Sequence, residues 1–63
     1  MSSRQEPLLR ALALGGPMTS TRLSTMTGVD LHATRNSLYT LRRQGYVRDV
    51  GKDGKENLWE VVA

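Results

Sequence analysis

The chain of 63 residues contains no cysteine, and aromatic residues make up only 5% of it. Without cysteine, neither a disulfide nor a thiolate zinc site can compensate for a small core, as happens in many small secreted domains. A chain of this length hides only about 60% of the surface that it exposes when unfolded. We therefore expect one small domain covering residues 1–63, with a thin core and a cytoplasmic location.

The sequence also lacks long apolar runs and the side-chain sets that catalysis needs. No stretch approaches the ~20 apolar residues of a membrane helix, and the N-terminus lacks the pattern of a secretory signal. The lone histidine, His32, has only Asp30 nearby to orient it or to share a metal ion. Gly15-Gly16-Pro17 lacks the Lys-Ser/Thr pair of a phosphate-binding loop. We expect no enzyme activity, cofactor, metal site, small-molecule substrate or membrane association.

Basic residues are present, and they are unevenly placed. Nine Lys and Arg against six Asp and Glu give a net charge of +3. Six of the nine lie between positions 35 and 55: Arg35, Arg42, Arg43, Arg48, Lys52 and Lys55. A positive field on one half of a small protein indicates an anionic partner.

Helical spacing of leucines predicts a first helix from about Arg4 to Leu14. Ser3-Arg4-Gln5-Glu6 has the spacing of a capping box at its start, and Gly15-Gly16-Pro17 ends it. The apolar stripe consists of Leu8, Leu9 and Leu12. We interpret this helix as part of the scaffold.

A second, shorter helix follows, with Thr19 as its N-cap and an end near Thr27. Its many Ser and Thr residues have low helix propensity, so packing of Leu23 and Met26 has to stabilise it. Hydroxyl groups at the start of a helix also suit phosphate oxygens. The hydroxyls at this start belong to Thr19, Ser20 and Thr21.

The third predicted helix is the longest, with Asp30 as its N-cap and Gly45 at its end. Its buried stripe consists of Leu31, Thr34, Leu38 and Leu41. A rotation of about 100° per residue places a second, polar set together on another side. That set consists of His32, Arg35, Asn36, Tyr39 and Arg43. Because Thr27-Gly28-Val29-Asp30 can turn the chain sharply, the second and third helices are expected to cross steeply.

Residues 46–50 and 57–62 read as two strands, connected by residues 51–56 with Asp53-Gly54 at the tip. Lys52 and Lys55 flank that tip. The order of elements predicts an α+β fold, a winged helix-turn-helix in which three helices precede a two-stranded antiparallel hairpin, the wing.

Residues 18–59 resemble the winged helix-turn-helix superfamily. The stretch from Thr34 to Val47, Thr34-Arg35-Asn36-Ser37-Leu38-Tyr39-Thr40-Leu41-Arg42-Arg43-Gln44-Gly45-Tyr46-Val47, looks like the recognition-helix signature of the bacterial GntR and MarR regulators. In those groups the signature is a leucine, two polar residues, a second leucine, three polar residues, a glycine and an apolar strand start. The resemblance implies DNA binding in general terms and identifies no operator.

The chain also resembles the Zα domain, a winged helix that binds left-handed duplexes. Leu38-Tyr39-Thr40-Leu41 and Leu58-Trp59-Glu60-Val61 are similar to its tyrosine and tryptophan segments. In that family a helix asparagine and tyrosine, together with the wing tryptophan, form the recognition core. The chain departs from the pattern with Arg35 at the asparagine position, Glu56 and Asn57 for two prolines, and Leu31 for a lysine.

These patterns predict a transcriptional regulator that binds double-stranded DNA, with its third helix in the major groove. Arg and Asn side chains can pair with guanine and adenine edges, and lysines of a wing can contact phosphates. The expected contact residues are Thr19, Ser20, Thr21, His32, Arg35, Asn36, Tyr39, Arg43, Lys52, Lys55 and Trp59. We expect Trp59 to be partly buried and to support this face. A protein-interaction module is the alternative, and a Zα-like binder of left-handed duplexes is a third hypothesis. A homodimer on paired half-sites is compatible with DNA binding.

Overall fold

The computed structural model describes residues 5–62 and contains three helices followed by a hairpin. The elements are α1 (Gln5–Gly15), α2 (Ser20–Thr27), α3 (Leu31–Gln44), β1 (Val47–Asp53) and β2 (Glu56–Val61). This order confirms the predicted winged helix-turn-helix. Ser3 and Arg4 of the predicted capping box lie outside the described residues. None of the three helices combines the length and the apolar character that crossing a membrane requires.

Side-chain caps define where α2 and α3 begin. Thr19 Oγ1 accepts a hydrogen bond from the backbone N–H of Arg22 at 3.2 Å. Asp30 Oδ2 accepts from the backbone N–H groups of His32 and Ala33 at 3.0 and 3.2 Å. Each cap satisfies donors that the first turn of a helix leaves unpaired, and both predicted N-caps are therefore confirmed.

Left-handed glycines define where α2 and α3 end. Gly28 has a φ of 75° and its N–H donates to Ser24 O at 2.9 Å, which ends α2 and allows the turn into Asp30. Gly45 has a φ of 87°, and Tyr46 N–H donates back to Leu41 O at 2.9 Å. Glycine adopts this backbone conformation without the steric cost that other residues incur.

The core lies between the three helices and one face of the hairpin. Its fully buried apolar side chains are Leu8, Leu12, Met18, Leu23, Leu38, Leu41, Val47 and Trp59. Thr34 is buried among them on α3, whereas Leu31 is only half-buried.

The prediction that Met26 packs in the core is wrong, since its side chain is 54% exposed. The inward side of α2 passes through Ser20, Leu23 and the half-buried Thr27. Met26 lies about 100° around the helix from the centre of that side. Leu23 is therefore the only fully buried apolar side chain of α2.

The hairpin is longer and its turn shorter than predicted. β1 and β2 pair from Val47↔Val61 to Asp53↔Glu56, so the connection is the two-residue turn Gly54-Lys55 and not residues 51–56. The register shifts between Asp49 and Gly51, which leaves Val50 as an extra residue in β1. A bulge of this kind bends a strand and increases its twist, and it allows pairing to continue past the irregularity.

Met18 adds a one-residue bridge to the outer edge of β2. Its N–H donates to Trp59 O at 3.1 Å, and Trp59 N–H donates back to Met18 O at 2.9 Å. The segment between α1 and α2 is thereby attached to the hairpin. This attachment positions the hairpin beside α2 and α3.

Candidate nucleic-acid interface

The predicted polar set of α3 is on the outside of the molecule. All five of its side chains are exposed, while the opposite side of the helix holds Thr34, Leu38 and Leu41 in the core. The five are His32, Arg35, Asn36, Tyr39 and Arg43. Helix α3 therefore presents a polar surface to its surroundings, as the periodicity indicates.

Trp59 supports this surface from beneath and is not itself exposed. Its side chain is only 3% exposed, so the predicted partial burial is wrong, while its predicted contact with nucleic acid stays a prediction. Its ring meets that of Tyr39 edge to face, with centroids 5.7 Å apart and planes at 79°. Tyr39 is 46% exposed. The aromatic pair fixes the orientation of Tyr39 at the surface, because such T-shaped contacts are favourable.

Arg42 connects the aromatic pair to the hairpin. Its guanidinium carbon lies 5.3 Å from the centroid of Tyr39 and 5.6 Å from that of Trp59. The same group pairs with Asp49 on β1, with 3.2 Å between Nη1 and Oδ2. These contacts place the Arg42 guanidinium beside both aromatic rings and the Asp49 carboxylate.

A cleft of about 220 Å³ lies between α3, the start of α2 and the hairpin. Its lining residues are Ser20, Arg35, Tyr39, Lys52, Lys55, Glu56, Asn57 and Trp59. Six of these eight belong to the predicted contact set. Glu56 and Asn57 are not among the predicted contact residues, because both lie far along the chain from the helices that they face.

Glu56 is the most extensively bonded side chain of the cleft. Its Oε1 accepts hydrogen bonds from Thr21 Oγ1 at 2.6 Å and Ser20 Oγ at 3.3 Å. Arg35 Nη2 lies 3.7 Å from the same oxygen. The Thr21 hydroxyl is the largest cause of a lowered pKa at Glu56, while partial desolvation opposes it and Ser20, the Thr21 backbone and Arg35 assist. Glu56 is therefore ionised at neutral pH.

The hydroxyls at the start of α2 are engaged within the protein. Thr19 is buried as the N-cap, and Ser20 is buried with its hydroxyl donated to Glu56. Thr21 is exposed, but its hydroxyl also donates to Glu56. Contact of these three groups with phosphate oxygens stays a prediction, and for Ser20 and Thr21 it requires that the phosphate replace Glu56 as acceptor.

Ion pairs also reduce the predicted positive field. Arg35 pairs with Glu56, Arg42 with Asp49, and Arg48 with Glu60 at 3.0 Å. Within residues 5–62 the remaining three cations of that half make no ion pair: Arg43, Lys52 and Lys55. Free positive charge is thus concentrated at the end of α3 and around the hairpin turn.

The sequence matches no protein-family model and no curated protein. Solved structures do resemble it. The Zα domain of Carassius auratus PKZ, solved with Z-DNA, has a TM-score of 0.84 and 19% identity, covering 92% of this chain and 90% of that one. A MarR mutant from E. coli, solved with operator DNA, has a TM-score of 0.88 and 22% identity over 98% of this chain.

The PcaV transcriptional regulator from Streptomyces coelicolor gives a TM-score of 0.90 and 22% identity over 98% of this chain. The chain spans just under half of each of these two regulators, 45% of PcaV and 46% of the MarR mutant. Because all of these identities are low, the likeness shows the fold alone. That fold is the winged helix-turn-helix.

Proposed function

We propose that this chain binds duplex DNA and regulates transcription, with α3 in the major groove and the hairpin against the phosphate backbone. One observation carries the proposal. Arg35 and Tyr39 from the exposed polar side of α3 line the same cleft as two lysines of the hairpin, Lys52 on β1 and Lys55 in the turn. A groove-reading helix flanked by cations is the arrangement that base contacts and phosphate contacts together require.

Helix α3 has the dimensions and the side chains for this role. Its 14 residues extend for about 21 Å, and the major groove is about 12 Å wide, enough to admit a helix. Arg35 and Asn36 are exposed in its first half. Their side chains suit guanine and adenine edges, and each bidentate pair is worth about 1–3 kcal/mol of discrimination.

The hairpin supplies charge without an evident means of reading bases. Lys52 and Lys55 are exposed and unpaired, and a lysine acts as a point charge toward phosphate. Two structurally similar proteins were solved with DNA, one with operator DNA and the other with Z-DNA, which supports DNA binding as the proposed function.

A binding selection from random duplexes, followed by affinity measurements, tests the proposal. Arg35→Ala should lower the discrimination between selected and random sequences, whereas Lys52→Ala and Lys55→Ala should weaken binding to all sequences alike. Equal loss on every probe for Arg35→Ala would contradict its base-reading role. A wild-type chain that binds no duplex at low ionic strength would refute the function itself.

One observation favours a second candidate, the recognition of left-handed duplexes. Tyr39 is held edge to face on Trp59 at the rim of the cleft, and the resemblance to the Zα domain implies a role for this same pair. Inversion of the circular dichroism of an alternating GC duplex on adding protein would establish it. Tyr39→Ala should abolish that inversion, and a right-handed spectrum at saturation would exclude this candidate.

A further inference from the structure

Glu56 places a negative charge on the surface that is proposed to face a polyanion. We propose that its carboxylate competes with DNA for Arg35 and thereby determines how strongly the chain binds duplexes that lack a good partner for that arginine. This inference rests on the proposed function and adds to it a residue that limits non-specific binding.

The geometry gives Glu56 the position of an internal anion. Two hydroxyls from α2 and a guanidinium from α3 converge on one oxygen, Oε1, at 2.6, 3.3 and 3.7 Å. Glu56 reaches them from the first residue of β2. The carboxylate is therefore held in place by α2, and Arg35 is the partner that remains able to leave, since its side chain is 49% exposed.

The other ion pairs of the hairpin do not hold back an arginine that is predicted to read bases. Of the three pairs within residues 5–62, only Arg35–Glu56 contains a predicted base-reading side chain. Arg48–Glu60 joins two directly opposite residues of β1 and β2, and neither lines the cleft. Glu60 therefore provides a matched control with the same charge on the same strand.

Competition for Arg35 affects good and poor sites differently. A phosphate and a carboxylate offer the guanidinium the same kind of charge-assisted pair, so exchanging Glu56 for a phosphate gains little. A guanine edge offers two acceptors in bidentate geometry and compensates for the lost ion pair. The carboxylate thus limits binding to duplexes that offer Arg35 no better partner than Glu56 does.

Fluorescence anisotropy with a duplex of random sequence at low salt tests this inference. Glu56→Gln keeps an oxygen that can accept from Thr21 and removes the charge. It should bind about two- to fivefold more tightly than wild type, the range expected for an exposed ion pair. Glu60→Gln changes net charge equally and should give a clearly smaller gain. In an Arg35→Ala background, Glu56→Gln should give no more gain than Glu60→Gln.

Each outcome has a defined meaning. Equal gains for the two glutamine variants, or a full gain that persists without Arg35, would overturn the inference while leaving DNA binding intact. If neither wild type nor Glu56→Gln binds any duplex, the inference and the proposed function both fail. Thermal unfolding verifies that each variant is folded, and Glu56→Ala replaces the glutamine variant if that one is not.

Discussion

Trp59 contacts the segment before α2, the core and the exposed side of α3. Its backbone pairs in both directions with Met18, its side chain fills the core, and its ring supports Tyr39. A change at Trp59 therefore alters the core and the exposed face together. For this reason, loss of binding in a Trp59 variant does not by itself indicate a contact with nucleic acid.

The carboxylate of Glu56 links folding stability to pH. Hydrogen bonds, that of Thr21 first, lower its pKa in the folded state from the ordinary 4.5. Its contribution to stability is therefore complete above pH 4.5 and is lost as the pH falls through the lower, folded-state value. Urea unfolding should show that wild type has a higher unfolding free energy than Glu56→Gln at neutral pH. This difference should become smaller as the pH is lowered.

The variant Glu60→Gln again serves as the control for that measurement, because it removes a carboxylate from the same strand. A wild-type advantage over Glu56→Gln that stayed constant from about pH 7 to about pH 3 would show that the ionised carboxylate is not what stabilises the fold.

At the scale of the elements, local signals explain what could be predicted. Caps at Thr19 and Asp30, and left-handed glycines at positions 28 and 45, depend on residues a few positions apart. The bulge at Val50 and the choice of which side of α2 is buried depend on packing across the fold. For this reason the predicted burial of Met26 and the predicted length of the hairpin turn are wrong. The contact of Glu56 with Thr21 spans 35 positions and has no local signature.

The cap of α3 gives a prediction at the same scale. Asp30→Ala removes the acceptor for two backbone N–H groups at the start of the helix, which should cost about 1 kcal/mol of unfolding free energy. Asp30→Asn keeps a side-chain oxygen in place and should lower the unfolding free energy by only a few tenths of a kcal/mol. Urea unfolding of both variants measures the difference. Equal destabilisation by the two would mean that negative charge, and not the cap, is responsible.

For the molecule as a whole, the distribution of paired and free charge determines how it can meet a polyanion. The sequence places six cations in one half of the chain, but three of them are paired with Glu56, Asp49 and Glu60. Sequence alone could not reveal this, because these pairs form between elements. The field at the candidate interface is therefore weaker than composition indicates, and the cations of that half without an ion pair among residues 5–62 are Arg43, Lys52 and Lys55.

This distribution predicts the salt dependence of duplex binding. Counterion release contributes a slope of about −0.9 per phosphate contact to a plot of log affinity against log salt, so three free cations should give about −2.7. Contact by all six would give a slope of about −5.4 instead. Anisotropy titrations at several salt concentrations measure this slope. Lys52→Ala should make it shallower by about 0.9, the contribution of one phosphate contact. A steep slope would show that the ion pairs open on binding, whereas a salt-insensitive complex with protein and no duplex binding would indicate an interaction module.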